Sequence, residues 1–189
     1  MRANAELHER RSWQALALSR RGERGWDKLH QPTFCSSCGG RLAPRQDGPA
    51  QCTGCGRAAY LDPKLAAAAI IPHDGGIVLV RRAIEPAYGK WSFPSGYVNR
   101  GEKVEAAVER EVLEETGLQV SARWLVGLYS SPGQPVVLSV YHAEVIGGAL
   151  SARDETLEIA AFPLRSLPDL AFEHDSRIIS DWMRARGAQ

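Results

Sequence analysis

Gly96-Tyr-Val-Asn-Arg-Gly-Glu102-Lys-Val-Glu-Ala-Ala-Val-Glu-Arg110-Glu111-Val-Leu-Glu114-Glu115-Thr-Gly117-Leu118 is the stretch on which the reading of this chain turns. Its second half has the spacing of an amphipathic helix over 103–116, with Val104, Ala107, Val108, Val112 and Leu113 toward a core. Gly117 stands where a helix closes in the left-handed conformation. On such a helix Glu111, Glu114 and Glu115 fall within an arc of about 100°. Two carboxylates about 6 Å apart at an effective dielectric of about 20 repel by roughly 3 kcal/mol. Three on one face call for something positive among them. Hard divalent cations take oxygen ligands and share them with substrate phosphates. A solvated acidic helix face is the plain alternative, and an isolated ExxEE would favour it.

The whole stretch, however, resembles the box of the Nudix hydrolases: Gly, five residues, Glu, seven residues, then Arg-Glu-aliphatic-any-Glu-Glu-any-Gly-aliphatic. Gly96, Glu102, Arg110, Glu111, Val112, Glu114, Glu115, Gly117 and Leu118 match every specified position. The resemblance implies an α+β fold, an α/β/α sandwich. It implies hydrolysis of the diphosphate bond in a nucleoside diphosphate linked to another moiety. It also implies Mg²⁺ or Mn²⁺ held by the Gly96 carbonyl and by Glu111, Glu114 and Glu115, with Glu102, Arg110 and Gly117 in structural roles. For the proton acceptor the acidic segment Asp154-Glu155-Thr156-Leu157-Glu158 offers Glu158 first and Glu155 second.

All four cysteines lie in one short segment, as Cys35-Ser-Ser-Cys38 and Cys52-Thr-Gly-Cys55. Two CxxC pairs have the spacing of a tetrahedral Cys₄ zinc site. Disulfides or a redox pair are the alternatives. The absence of a secretory pattern in the Arg-rich but also acidic N-terminal segment disfavours the first. The missing βαβ context disfavours the second. A small N-terminal zinc ribbon over 33–60 is expected, drawing much of its folding energy from Zn²⁺.

The divisions are then 1–32, an extension that is helical or disordered; 33–60, the ribbon; and 61–189, the hydrolase domain. The formal net charge of +1 gives no bulk attraction to nucleic acid or an anionic membrane. The longest apolar run, 65–72, is too short to span a bilayer. The expected setting is therefore cytoplasmic and the expected partner a small nucleotide, with a homodimer left open.

Outward from the box, Leu65–Ile71 reads as a buried strand, turning at His73-Asp74-Gly75-Gly76 into a second strand, Ile77–Arg81. Further strands are expected near 121–129, 136–145 and 158–163. A closing helix over 174–185 would carry Ile178, Ile179, Trp182 and Met183 on its apolar side.

Adenosine diphosphates need an aromatic wall and cations for phosphate oxygens. Arg82, Lys90, Trp91 and Phe93 are the candidates, with Tyr88 and Arg81 beside them. The region after the box lacks the Trp and Phe of the NADH pyrophosphatase signature, reading Tyr129-Ser-Ser-Pro132-Gly-Gln-Pro135. A closer likeness, to plant FAD/ADP-ribose pyrophosphatases, rests on Phe34-Cys35-x-x-Cys38-Gly39-Gly40, Gly89-x-Trp91-x-x-Pro94, Glu155-x-Leu157-Glu158 and Leu170-Ala171-Phe172. It implies FAD or ADP-ribose as substrate. NADH, an NAD cap, or a nucleotide sensor without catalysis are the alternatives.

Overall fold

The computed structural model describes residues 32–153 and 155–187. They form two compact units, the first running to Asp62 and including Pro132–Gln134, the second made of Pro63–Ser131 and the chain from Pro135 onward. The expected helix or disorder within 1–31 lies outside the described residues.

In the first unit β1 (Leu42–Ala43), β2 (Ala50–Cys52) and β3 (Ala58–Ala59) make a three-stranded antiparallel sheet. Among the described residues its fully buried side chains are Cys35 and Cys52, with no apolar cluster around them. Each CxxC closes a tight turn, with Gly39 N–H donating to the Cys35 carbonyl (2.9 Å) and Gly56 N–H to the Cys52 carbonyl (3.0 Å). Both glycines have φ near +71°, a left-handed conformation that glycine adopts without strain.

The second unit is built on β4 (Lys64–Ile70), whose run of alanines is buried on both faces. β4 pairs parallel to β10 (Val136–Gly148), which pairs antiparallel to β9 (Leu118–Tyr129), and β8 (Ser95–Tyr97) closes the other side. A second sheet joins β11 (Thr156–Phe162), β6 (Gly76–Arg82) and β5 (Pro72–His73), with β7 (Trp91–Ser92) also on β6. Helix α1 (Val104–Thr116) and helix α2 (Asp175–Gly187) complete the layers.

Strand alternation deals the core into two halves. Ala67, Ala69 and Val78 pack with Val108 and Val112 of α1, while Ala68, Ile70, Ile77 and Leu79 pack with Ile178 and Trp182 of α2. Small side chains on β4 allow both layers to approach it closely. The continuous apolar run is thus a strand covered on two faces, as read from the sequence.

Two side chains expected in the core are outside it: Leu113 and Met183 are exposed. Each lies at the margin of its helix's apolar stripe, where the neighbouring sheet no longer covers it. Strand β9 starts at Leu118, earlier than expected, because Gly117 (φ 74°) turns α1 directly into it. Among the described residues no helix is long and apolar enough to cross a membrane.

Candidate active site and metal centres

The last two turns of α1 carry Glu111, Glu114 and Glu115, and Arg110 ties them to the incoming loop. Its Nε donates to Glu102 Oε1 (2.8 Å) and its Nη2 to Glu102 Oε2 (3.0 Å). Nη1 donates to Glu111 Oε1 (2.6 Å) and Glu114 Oε2 (3.0 Å). Nη2 also reaches the Tyr97 carbonyl at 3.1 Å, locking the backbone beside Gly96 to the helix. The Asn99 N–H adds a bond to Glu102 Oε2 at 2.8 Å. Arg110 first, and the Asn99 N–H next, hold the Glu102 carboxyl down at about 2. In return Glu102 keeps the Arg110 guanidinium protonated well beyond its ordinary range.

Glu115 is the opposite case. Burial pushes its carboxyl up to about 8; the Ser95 N–H (3.1 Å) and Arg82 oppose that, while Glu111 and Glu155 add repulsion. Burial also raises Glu111, despite its contact with Arg110. Two half-buried carboxylates are therefore undercompensated by the protein's own cations. Gly96 lies hard against Glu111, since a Cβ there would land on the Glu111 carboxylate. An all-oxygen donor set short of positive charge fits a hard divalent cation. Glu111, Glu115, the more exposed Glu114 and the Gly96 carbonyl are the groups that would hold it.

The register of β6 and β11 sorts the remaining candidates. Val78, Val80 and Arg82 share the α1 face of β6, and Arg81 points to the other. Arg82 and Glu155 both act on Glu115, and the Ala83 N–H donates to the Glu155 carbonyl at 3.0 Å. Glu158 is instead paired with Arg81 across the strands, Oε2 to Nη1 3.5 Å, on the α2 face. The first-choice proton acceptor is thus engaged with Arg81 on the α2 face, whereas Glu155, the second choice, is the acidic-segment carboxylate whose charge acts on Glu115. A bulge between Thr156 and Glu158 sets this register, and sequence proximity alone could not reveal it.

The aromatic candidates also lie on the α2 side. Phe93 is buried in that core, and Trp91 packs edge-on against Phe162 at 4.7 Å. As packed, Phe93 fills the core and offers no wall to a ligand. Lys90 pairs with Asp169 at 3.2 Å, and Tyr88 is exposed. Sequence reasoning passed over Ser95 and Tyr97, whose contributions are backbone atoms and leave no residue-type signal.

In the other unit the four cysteine Sγ atoms lie within 4.8 Å of one another, Cys35 to Cys55 at 3.8 Å and Cys38 to Cys52 at 3.5 Å. Four sulfurs each about 2.3 Å from a zinc stand about 3.8 Å apart in a tetrahedron, so the cluster has the dimensions of such a centre. The backbone N–H of Ser37 leads in lowering the Cys35 thiol to about 6, and those of Cys55 and Gly54 lower Cys52. The Gly40 N–H favours the Cys38 thiolate too, yet Cys55 and Cys52 push that thiol up to about 12. Four sulfurs this close could hold a metal ion, whose charge would favour their thiolate forms.

Comparison with known proteins agrees with this geometry. Residues 63–183 match the NUDIX domain model. The chain is 44% identical over 129 residues to an ADP-ribose pyrophosphatase of Methanocaldococcus jannaschii, covering 66% of this chain and 76% of that one. It is 34% identical over 140 residues to the NAD-capped RNA hydrolase NudC of Pseudomonas aeruginosa, covering 72% of this chain but only half of that one. Among solved structures, a NUDIX hydrolase from Nitrosomonas europaea superposes with a TM-score of 0.75 at 29% identity, over 83% of this chain and 93% of that chain. With its box intact in sequence and assembled in space, the chain belongs to the NUDIX hydrolase family, enzymes that split diphosphate linkages.

Proposed function

We propose that this hydrolase cleaves the diphosphate of ADP-ribose to AMP and ribose 5-phosphate, and takes FAD, giving AMP and FMN, as a second substrate of the same kind. The carboxylate face of α1 carries the reaction type: Glu111 and Glu115 are raised by burial, braced by Arg110 and the Ser95 N–H, and open to a cation. The 44% identity to an ADP-ribose pyrophosphatase supports that substrate first. Mg²⁺ or Mn²⁺ bound there supplies charge on the phosphate oxygens and acidifies a water.

The protein's own groups do the rest. Arg110 fixes Glu111 and Glu114 in orientation, and the Ser95 N–H fixes Glu115. Arg82 offers its guanidinium to a phosphate oxygen from the same side. Water adds to one phosphorus, its proton passes to Glu155, and the bond to the bridging oxygen breaks. Two monophosphates leave. No serine or cysteine nucleophile is required, and the cysteines are reserved for the other unit. We read that unit as a zinc ribbon, the feature that sets this chain in a ribbon-bearing subgroup resembling plant FAD/ADP-ribose pyrophosphatases, and we read the protein as cytoplasmic.

A second reading, hydrolysis of NADH or an NAD cap, is favoured by the identity to NudC, although the chain spans half that protein's length. The test is product analysis with Mg²⁺ or Mn²⁺ over ADP-ribose, FAD, NADH and an NAD-capped oligonucleotide. Turnover of NADH or the capped oligonucleotide tenfold more efficient than of both ADP-ribose and FAD would replace the first reading by the second.

A further inference from the structure

Arg82 ends β6 on the α1 face, yet its guanidinium lies over the ring of Phe172, 5.3 Å from the centroid. Phe172 belongs to the segment that leads into α2. The Leu170 backbone meets Trp91 in an isolated parallel bridge, and the Ala171 N–H donates to the Trp91 carbonyl at 2.7 Å. Asp175, only 1% exposed at the start of α2, accepts the Phe172 N–H on Oδ2 at 3.0 Å. The Phe172 ring in turn stacks on His174, 5.4 Å away and within 3° of parallel. Phe172 is thus fixed through both its backbone and its ring.

The Arg82 side chain has one protein hydrogen bond among the described residues, from Nε to the Pro86 carbonyl at 2.8 Å. Both Nη groups are left to donate elsewhere, in the fork that matches a phosphate. A guanidinium held by one bond on a long side chain would otherwise sample many rotamers, and a ligand that orders it would oppose that entropy. A ring beneath it restricts that sampling without using the Nη donors.

We infer that Phe172, anchored by Asp175, is a positioning residue that holds the Arg82 guanidinium with its Nη donors toward the diphosphate subsite beside Glu115. The inference rests on the proposed diphosphatase reading and goes beyond it, because it assigns a role to a residue of the α2 entry segment that touches none of the carboxylates. The side chain acts on substrate only through Arg82. Phe172 also borders an open cleft of about 450 Å³ with Lys90 and Ser176, so direct contact with substrate is the competing role.

A double-mutant cycle of Arg82→Ala and Phe172→Leu separates the two. It is read in KM and kcat for whichever dinucleotide the wild type cleaves, and in the Kd for ADP in Mg²⁺ buffer by calorimetry. A cation–π contact predicts that Phe172→Leu raises KM and the ADP Kd about 3- to 10-fold with kcat within about twofold. Phe172→Tyr, which keeps the ring, should restore wild-type values. In the Arg82→Ala background Phe172→Leu should add less than about twofold, because coupled residues are not additive. Equal penalties in both backgrounds, an unchanged KM in Phe172→Leu, or no ADP binding by the wild type would overturn the proposal. Melting curves of all variants identify a loss that is only unfolding. Failure of the ADP-ribose reading is seen separately, in the wild type's choice of substrate.

Discussion

Arg110 and Glu102, eight residues apart, meet in a two-pronged pair, Nε to Oε1 at 2.8 Å and Nη2 to Oε2 at 3.0 Å. That pair staples the loop after β8 to the helix that carries the carboxylates. Because Arg110 also donates to Glu111 and Glu114, one guanidinium sets loop geometry and site geometry together. Lysine cannot reproduce such a fork. Arg110→Lys is expected to lower kcat/KM by about 10- to 100-fold, the cost typical of losing an outer-shell support, with the fold retained. Steady-state kinetics beside circular dichroism check it.

The same pair has an acid signature. Glu102 drops from an ordinary 4.5 to about 2 in the folded protein, so its stabilisation is present above pH 4.5 and is lost as pH falls toward 2. Glu102→Gln should flatten the melting temperature profile across that window and leave its slope near pH 7 unchanged. An unaltered acid limb in the variant would contradict the assignment.

Glu115 predicts the reverse slope. Raised to about 8 in the metal-free protein, it contributes stability below pH 4.5 that disappears as pH rises through 8. In EDTA, Glu115→Gln should therefore be the more stable protein at pH 8, while losing turnover by about 100-fold or more, as expected when a charge-stabilising group is removed. Cation binding to the wild type should release a proton near neutral pH. Calorimetry in buffers of different ionisation enthalpy reads that proton, and its absence would mean that Glu115 does not meet the metal.

Elemental analysis addresses the cysteine unit. One equivalent of zinc is expected in purified protein, and stripping it should unfold the small sheet, because among the described residues Cys35 and Cys52 are its fully buried ones. Less than half an equivalent, together with a formed disulfide, would refute the centre.

How much of this could be read from the sequence follows from what each signal depends on. The box helix, its Gly117 ending and the CxxC turns are local in sequence, so spacing alone located them. Strand β4 was legible because a buried strand needs only a short unbroken apolar run. The side of the sheet on which a residue falls is not local: it depends on pairing partners and on one bulge near Thr156. That is why Glu158, Trp91 and Phe93 read as neighbours of the box yet lie on the α2 face. The Arg82–Phe172 contact was equally hidden, joining residues ninety positions apart through the entry to α2.

The choice of proton acceptor puts that non-local lesson to a test. Glu155 sits in a turn with φ of 65°, a left-handed conformation unusual for a residue with a side chain, and its carboxylate acts on Glu115. Glu158 is three residues further on, exposed and engaged with Arg81 on the opposite face. A residue that takes a proton from the attacking water must reach it, directly or through one water. Removing that base should cost about 10²- to 10⁴-fold in kcat, whereas a carboxylate paired with Arg81 on the other face of the sheet should cost little. Glu155→Gln is therefore expected to fall in the first range and Glu158→Gln within a few-fold of wild type, in Mg²⁺ at pH 8 with ADP-ribose saturating. If Glu158→Gln proves the crippled variant and Glu155→Gln the active one, the strand register does not describe the working enzyme. Equal and mild effects in both would move the proton to a carboxylate of the box itself, with Glu114, the most exposed of the three, the next to replace.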